Sequence, residues 1–567
     1  MMWYRPHERM TNPVESADQR ASVAAMFPTL TDAQRQRLAA HGRERRVADG
    51  EVLVEVGQRD IPFFVVTAGS IEAARPSTSV DRVIVTLEPG MFTGEATMLT
   101  GRPAITRLRA AGPGTVLEIP RERLLDAVVR NDPELSDILL RAFVRRRQDL
   151  IASGGGDALL LGSTHSAATL RVREFLTRNG HPFTFVDLDR DEGAQDLLDR
   201  FDVGVADVPV LVACTGDVLR NPSNEAVART LGLNAAIDAA QARDVVVVGA
   251  GPSGLAAAVY AASEGLDVLV IESDVPGGQA GSSSRIENYL GFPVGISGAD
   301  LTARAFVQAE KFGAQVLVAD GARRLACDWP RYELEVSDGS IVPTRTVIIA
   351  TGAEYRRLPL VDVARFEGAG VYYAATHMEA QLCRGEEVIV VGGGNSAGQA
   401  AVFLTEHCAR VHLLVRADGL SESMSKYLIN RIEQHPKITL RTRTEVTALL
   451  GGAHLERVEW TDRRAGTAET RDLRHVFTMT GADPCTAWLR GCVTLDDRGF
   501  IKTGPDLTRD ELAAARWPLE RVPYLLETSL PGVFAVGDAR AGNVKRVASA
   551  VGEGSIAVSF VHRVLHA

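Results

Sequence analysis

Cysteine is scarce in this chain: six residues in 567, Cys214, Cys327, Cys383, Cys408, Cys485 and Cys492, with no Cys-x-x-Cys pair among them. That spacing excludes a disulfide scaffold and a four-cysteine zinc site. Isolated cysteines are expected to act as small buried hydrophobes; the nearest two in sequence, Cys485 and Cys492, are the pair to test for a hidden disulfide. Aromatics make up only 6% of the chain, and they do not interleave with a basic stripe. With a net charge of −10, this argues against nucleic acid as a main partner. No apolar run reaches the roughly 18 residues of a membrane span, and MMWYRPHERM lacks the apolar core of a secretory signal, so a cytoplasmic protein is expected. Met1 and Met10 both remain open as starting residues. An apolar content of 45% with 24% charged residues is ordinary for globular protein. At about 150 residues per domain, this length suggests three to five domains.

What the chain does have is two glycine loops in complete strand–loop–helix contexts, VVVVGAGPSG (Val245 to Gly254) and VIVVGGGNSAG (Val388 to Gly398). In the first, Gly249 suits a tight turn, Gly251 lets the backbone approach a pyrophosphate, and Gly254 lets helix and strand pack closely. The second reads Gly392-x-Gly394-Asn395-Ser396-Ala397. In both, a helix amino terminus would face the phosphates. After the first loop the next strand, LDVLVIES, ends in Glu272, whose carboxylate can accept hydrogen bonds from an adenosine ribose diol. After the second, RVHLLVRADG ends in Arg416 with no carboxylate, which favours a ribose 2′-phosphate. FAD is therefore assigned to the first loop and NADPH to the second. Ordinary turn glycines are the bland alternative, and two complete contexts argue against it.

Residues 243 to 567 resemble the thioredoxin reductase family through PGGQAGSSSRIENYLGFP (Pro276 to Pro293), VIIATGAEYR (Val347 to Arg356), GVFAVGDAR (Gly532 to Arg540) and KRVASAVGEGSIA (Lys545 to Ala557). The resemblance places Gly277, Gly278, Gln279, Asn288, Thr351 and Gly352 at the flavin cofactor and Gly537 and Asp538 at its ribityl chain. Arg546, Val547 and Ala548 would run past the pyrimidine edge of the ring. It implies an FAD domain in two parts, 243–355 and 485–567, enclosing an NADPH domain, 356–484. The departure is as informative. Where the family carries a redox Cys-x-x-Cys, this chain reads GVYYAATHME, with Ala374 and His377 at the two thiol positions. Disulfide exchange needs a thiolate and a resolving partner, so it cannot run through this segment. His377 is the candidate local proton donor; a purely structural histidine is the alternative reading.

Two further modules precede the reductase, after an amino-terminal extension, 1–25. In residues 26–151, short β-rich runs (EVLVEVG, PFFVVTAGSIEAA, RVIVTLEPG, TVLEIP) end in a helical pattern and resemble a cyclic nucleotide-binding domain, a small jelly-roll. By that resemblance Gly94 and Glu95 contact a ribose. The phosphate-pairing arginine falls at Ala104, leaving Arg102 or Arg107 as stand-ins; a different ligand, or a structural role, stays open. A glycine-rich linker, 152–157, leads to 158–234, which resembles a thioredoxin or glutaredoxin module, with Val208-Pro209 at that fold's cis-proline. Ser166 and Thr169 stand at its redox-cysteine positions, so it is expected to dock or space rather than exchange thiols.

The expected architecture is multidomain: α/β, with Rossmann-like FAD and NADPH domains preceded by a β jelly-roll and a thioredoxin-like α/β module. The expected enzyme is an NADPH-dependent FAD oxidoreductase, homodimeric by resemblance, passing electrons to a non-dithiol acceptor: a quinone, a small redox protein, oxygen or a partner's disulfide. Two alternatives stay open, a slow-turnover redox or nucleotide sensor and a thioredoxin-disulfide reductase using another cysteine pair.

Overall fold

The computed structural model describes the chain except residues 1–25, 76–80, 95–97, 99–100, 130, 153–157, 165, 191–203, 205–206, 214, 239, 284, 328, 376, 422–423 and 453, and except some further side chains, those of His377 and Met378 included. It divides into two compact units, Met1–Asp157 and Ala158–Ala567.

In the first unit, helix α1 (Asp32–Ala39) opens with a capping box between Thr31 and Gln34. Seven strands follow: β1 (Arg43–Val47), β2 (Val52–Val54), β3 (Phe63–Ala68), β4 (Ile71–Arg75), β5 (Arg82–Leu87), β6 (Arg107–Ala110) and β7 (Gly114–Ile119). They form two antiparallel sheets, β1-β7-β3 and β2-β6-β4-β5. Helix α2 (Pro133–Ala152) delivers Phe143 to a buried aromatic cluster with Phe63 and Phe92, ring centroids 5.6–6.2 Å apart. Phe143 meets both rings edge-to-face, while Phe63 and Phe92 are tilted at 40°, and rings at that spacing anchor a small core.

The second unit begins with β8 (Ala158–Gly162), helix α3 (Ala167–Arg178), β9 (Phe183–Asp187), β10 (Val210–Val212), β11 (Val218–Arg220) and helix α4 (Asn224–Thr230). Its sheet order is β11-β10-β8-β9, with β8 and β9 parallel and the remaining pairs antiparallel. The Val208–Pro209 peptide is cis. Ser166 caps α3, its Oγ accepting from Thr169 N–H at 3.4 Å, and Thr169 is buried.

Next comes β12 (Arg243–Val248), whose run of valines is buried on both faces, as a central parallel strand requires. It is followed by α5 (Pro252–Ser263), β13 (Val268–Ile271), α6 (Gly298–Lys311), β14 (Gln315–Leu317), β15 (Ala322–Ala326), β16 (Tyr332–Val336) and the long β17 (Ile341–Ile349). The sheet runs β14-β13-β12-β17-β16-β15.

A second domain is inserted between β18 (Ala353–Tyr355) and β27 (Ala482–Pro484), which pair antiparallel as the two connecting strands. It contains β19 (Val371–Tyr372), α7 (His377–Leu382), β20 (Glu387–Val391), α8 (Asn395–Leu404), β21 (Arg410–Val415), α9 (Lys426–Gln434), β22 (Ile438–Thr442), a meander of β23 (Thr444–Gly451), β24 (Leu455–Asp462) and β25 (Thr467–Arg471), and β26 (Val476–Thr478). Its parallel sheet has the order β19-β26-β20-β21-β22. The chain then returns to the first sheet, where β28 (Val533–Ala535) pairs parallel with the end of β17, and closes with α10 (Val547–Leu565). Helices α5 and α10 touch through small residues: a Cβ on Gly554 would lie 2.2 Å from the Ser253 carbonyl oxygen.

Cysteine usage differs from expectation. Cys327 and Cys492 form a disulfide across 165 residues of sequence, so Cys492 is paired with Cys327 rather than with Cys485. Sequence proximity misleads here because Cys327 follows β15 while Cys492 lies on the returning chain, beside the same sheet. Cys383 and Cys408 do behave as small buried hydrophobes, their sulfurs 3.4 Å apart. Cys214 lies outside the described residues. Among those residues, no helix is long and apolar enough to cross a membrane, and no His/Cys/Asp/Glu cluster could hold a metal ion.

Candidate functional site

The parallel strands of the first sheet deliver their expected residues to one edge. Gly249 follows β12, Glu272 follows β13, Thr351 and Gly352 follow β17, and Gly537 and Asp538 follow β28. The carboxyl ends of parallel strands, where strand order reverses about β12, are where such sheets bind ligands. Gly249 has φ +105°, and a Cβ there would lie 2.3 Å from the Ala350 carbonyl oxygen; a Cβ on Gly254 would lie 1.9 Å from Gly249 oxygen. Gly251 differs: it caps α5 without a side-chain partner, and an added Cβ would meet nothing nearer than Gly278 Cα at 4.0 Å. The loop is thus tight where it turns and open where a phosphate would approach.

Glu272 is buried, its carboxylate accepting from Ala250 N–H at 2.7 Å and Asp274 N–H at 2.9 Å. Burial pushes its carboxyl above the usual range, against the pull of those two N–H groups. Gly277 and Gly278 take positive φ, +103° and +51°, and Gly277 N–H donates to the Ala250 carbonyl at 2.8 Å. Gln279 Nε2 donates to the Ala353 carbonyl at the first connecting strand. Asn288 is exposed. Thr351 Oγ1 is buried without a hydrogen-bond partner. Asp538 accepts from Asn543 Nδ2 at 3.3 Å, and Gly537 N–H donates to Glu553 at 2.7 Å. Arg546 caps α10 without a side-chain hydrogen bond, leaving the first-turn N–H groups of Val547 and Ala548 at a positive helix end. An open glycine cradle, a buried carboxylate, an unpartnered hydroxyl and two uncapped helix ends fit an adenine dinucleotide carrying a flavin.

The inserted domain repeats the pattern. A Cβ on Gly392 (φ +145°) would lie 2.3 Å from Met479 oxygen, Gly394 caps α8 with no side-chain partner, and Ala397 is buried. Asn395 Oδ1 accepts from Ser425 N–H at 2.8 Å, and Ser396 is exposed. Arg416, directly after β21, is exposed. These residues fit a second dinucleotide with a phosphorylated ribose. Ala374 is half-buried and Ala375 buried ahead of α7, which His377 opens; the His377 side chain lies outside those described. Cys485 is half-buried, and burial pushes its thiol up to about 11.

In the first unit, Gly94 has φ +96° and its carbonyl accepts from Arg146 Nη1 at 2.7 Å. Glu95 lies outside the described residues. Arg102 is buried, whereas Arg107, expected as a stand-in for a phosphate partner, is ion-paired to Glu55 at 2.9 Å and Asp81 at 2.6 Å, so its charge is already answered. Two arginines that sequence reasoning missed lie closer to the glycines. Arg121 Nε donates to the Met98 carbonyl at 2.8 Å, with its guanidinium against Gly101, and Arg146 reaches Gly94 from α2.

The family profile described as Pyridine nucleotide-disulphide oxidoreductase matches residues 243–554, more than half of the chain, and the Cyclic nucleotide-binding domain profile matches residues 44–131. The thioredoxin reductase of Listeria monocytogenes is 31% identical over 315 residues, 55% of this chain and 91% of that protein. NADPH-dependent thioredoxin reductase 3 of Arabidopsis thaliana is 33% identical over 329 residues, 57% of this chain and 58% of that protein. Among solved structures, Lactococcus lactis thioredoxin reductase matches with a TM-score of 0.51 at 26% identity, covering 57% of this chain and 100% of its own. The chain belongs to the pyridine nucleotide-disulphide oxidoreductase family and is a thioredoxin reductase-like, NADPH-dependent flavoprotein oxidoreductase.

Proposed function

We propose that this enzyme takes electrons from NADPH through FAD to an acceptor that needs no dithiol on the enzyme: a quinone, a small redox protein, oxygen, or a disulfide on a partner reduced by other means. The observation that carries this reading is the segment Tyr373-Ala374-Ala375-Thr376-His377, which holds no thiol where the family's relay pair stands. The three free cysteines among the described residues support it. Cys383 and Cys408 are buried beyond the reach of a partner disulfide, and Cys485, with its raised value, is scarcely ionised at neutral pH.

FAD, when bound, supplies two-electron acceptance from the nicotinamide and stepwise or paired release to an acceptor. The chain's part is to hold and orient. Gly249, Gly251 and Gly254 cradle the pyrophosphate at the amino terminus of α5, and Glu272 takes the ribose diol. Gly277, Gly278, Gln279, Asn288, Thr351 and Gly352 line the remainder, and Asp538 takes the ribityl chain. The amino end of α10, at Arg546 to Ala548, presents partial positive charge to the electron-rich ring edge. Gly392, Gly394, Asn395, Ser396 and Ala397 hold the NADPH phosphates, and Arg416 selects the 2′-phosphate. His377 is the proton donor at the flavin-facing end of α7.

Residues 158–234 are read as a thioredoxin-like module that has lost exchange chemistry, with Ser166 and Thr169 serving as cap and core. The first unit is read as a jelly-roll whose Gly94, Glu95 and Arg102, with Arg121, bind a nucleotide-like ligand that regulates turnover. Family resemblance supports a cytoplasmic homodimer with domain limits as given above. The test is NADPH oxidation by purified holoprotein against a panel of ferricyanide, quinones, oxygen and oxidised thioredoxin, before and after thiol alkylation. Rapid alkylation-resistant turnover of dyes or quinones is expected; thioredoxin turnover abolished by alkylation would overturn the reading, and uniformly slow turnover would favour a sensor.

A further inference from the structure

The module at 158–234 carries no cysteine between residues 151 and 213, yet it is built into the flavin domain rather than hung beside it. Leu160, Phe175 and Leu176 share one hydrophobic core with Leu255, Val275 and Phe306. Besides Asn234, which exchanges two hydrogen bonds with Val318 at 2.9 Å, two polar struts cross the same junction beside the loop at 274–282. Asn224 Nδ2 donates to Asp274 Oδ1 at 2.6 Å. The other is Arg178, the last residue of α3, whose side chain is 12% exposed. Its Nη2 donates to the carbonyls of Pro276 at 3.1 Å and Gly278 at 2.7 Å, its Nη1 to Ser282 Oγ at 3.4 Å and Glu174 at 3.0 Å. Its Nε is buried with no hydrogen-bond partner. The loop makes room for the guanidinium: a Cβ on Gly281 would lie 2.8 Å from Arg178 Nη2.

The two carbonyls held by Arg178 flank Gly277, where the backbone is left-handed, and Gly278 lies across from Gly251. Unpaired, those carbonyl dipoles would stand as partial negative charges beside the cradle of a doubly charged pyrophosphate. A planar guanidinium answers both at once, its Nη1 sharing the charge with the half-exposed Glu174 while Nη2 stays on the loop. The same charge favours ionisation of the buried Glu272 carboxyl.

We propose that Arg178 is a positioning residue of the FAD site, and that the module, with no cysteine at its Ser166 and Thr169 positions, persists because it supplies this guanidinium to the cradle from outside the flavin domain. This rests on FAD occupying the Gly249–Gly254 cradle. The test uses the full-length chain stripped of flavin, with wild type, Arg178→Lys, Arg178→Gln and Arg178→Leu compared by FAD fluorescence titration at low and high salt, alongside thermal melting. Arg178→Leu is expected to weaken FAD binding by about tenfold or more, as loss of a charge-assisted hydrogen bond does. Arg178→Lys should retain part of the affinity and the salt sensitivity, and Arg178→Gln should lose the salt sensitivity. Asn224→Ala, which cuts the other strut, should leave FAD affinity near wild type. The proposal is overturned if folded Arg178→Gln and Arg178→Leu bind FAD as wild type does, or if Asn224→Ala weakens binding equally, which would assign the effect to docking in general. A wild type that binds no FAD would sink the FAD reading itself, a result distinct from both.

Discussion

Substituting two neighbouring glycines separates cofactor binding from folding. Gly251 has φ −69° and ψ −179°, which any residue can adopt, and the space around its missing Cβ is open to 4.0 Å. Gly251→Val should therefore fold, at a cost of about 1 kcal/mol for a poorer helix cap. The new side chain stands where the pyrophosphate must approach the first turn of α5. Losing charge-assisted hydrogen bonds there, at roughly 1.5–3 kcal/mol each, predicts FAD binding weaker by on the order of 100-fold. Gly254 is the opposite case. A Cβ there would sit 1.9 Å from the Gly249 carbonyl oxygen, so Gly254→Ala must push α5 away from β12, at about 1–3 kcal/mol or more of fold stability. The assay pairs FAD fluorescence titration with urea unfolding of the flavin-free chain. If Gly251→Val bound FAD within about twofold of wild type, or lost as much stability as Gly254→Ala, the phosphate cradle would not lie at this loop.

Arg416→Ala should weaken NADPH use by about 1.5–3 kcal/mol in kcat/KM while leaving NADH nearly unchanged, since only the 2′-phosphate meets the guanidinium; equal losses would make Arg416 structural. The raised Glu272 carboxyl gives a pH signature in the flavin-free chain. Unfolded chain releases this proton near the ordinary 4.3 or so, whereas folded chain keeps it to higher pH, so the group's contribution to stability falls as pH rises through that window. Glu272→Gln should flatten this fall in urea midpoints and abolish tight FAD binding; an unchanged pH profile would show that burial does not perturb Glu272. Anaerobic titration should take up two electrons per FAD with NADPH, unchanged in Cys492→Ser, because hydride transfer involves no cysteine. Uptake of four, falling to two in that variant, would put the Cys327–Cys492 disulfide on the electron path.

The parts legible in the sequence are those written in short-range pattern. A valine run followed by Gly-x-Gly-x-x-Gly announces a buried parallel strand, a tight turn and a close-packed helix, and β12, Gly249 and α5 follow it residue for residue. The positions of Glu272 and Arg416 were legible because each stands at the end of the next strand, a place fixed by the fold. The contacts that escaped are long-range and carried by residues with no periodic signature. Arg178 and Arg146 stand in no motif that the sequence marks, yet one reaches the loop at 276–278 and the other Gly94. The pairing of β18 with β27 and of Cys327 with Cys492 spans more than a hundred residues each, and loop closure over such distances leaves no local trace.

The two thiol-free stations differ in how far they have been absorbed into structure. Ser166 caps α3, and Thr169 fills the space left by Gly162, where a Cβ would lie 2.5 Å from the threonine hydroxyl. Both positions now serve folding. Ala374 remains half-buried ahead of α7, which His377 opens. In the module at 158–234, the same strands and helices hold the core shared with the flavin domain and place Arg178 on the loop at 276–278.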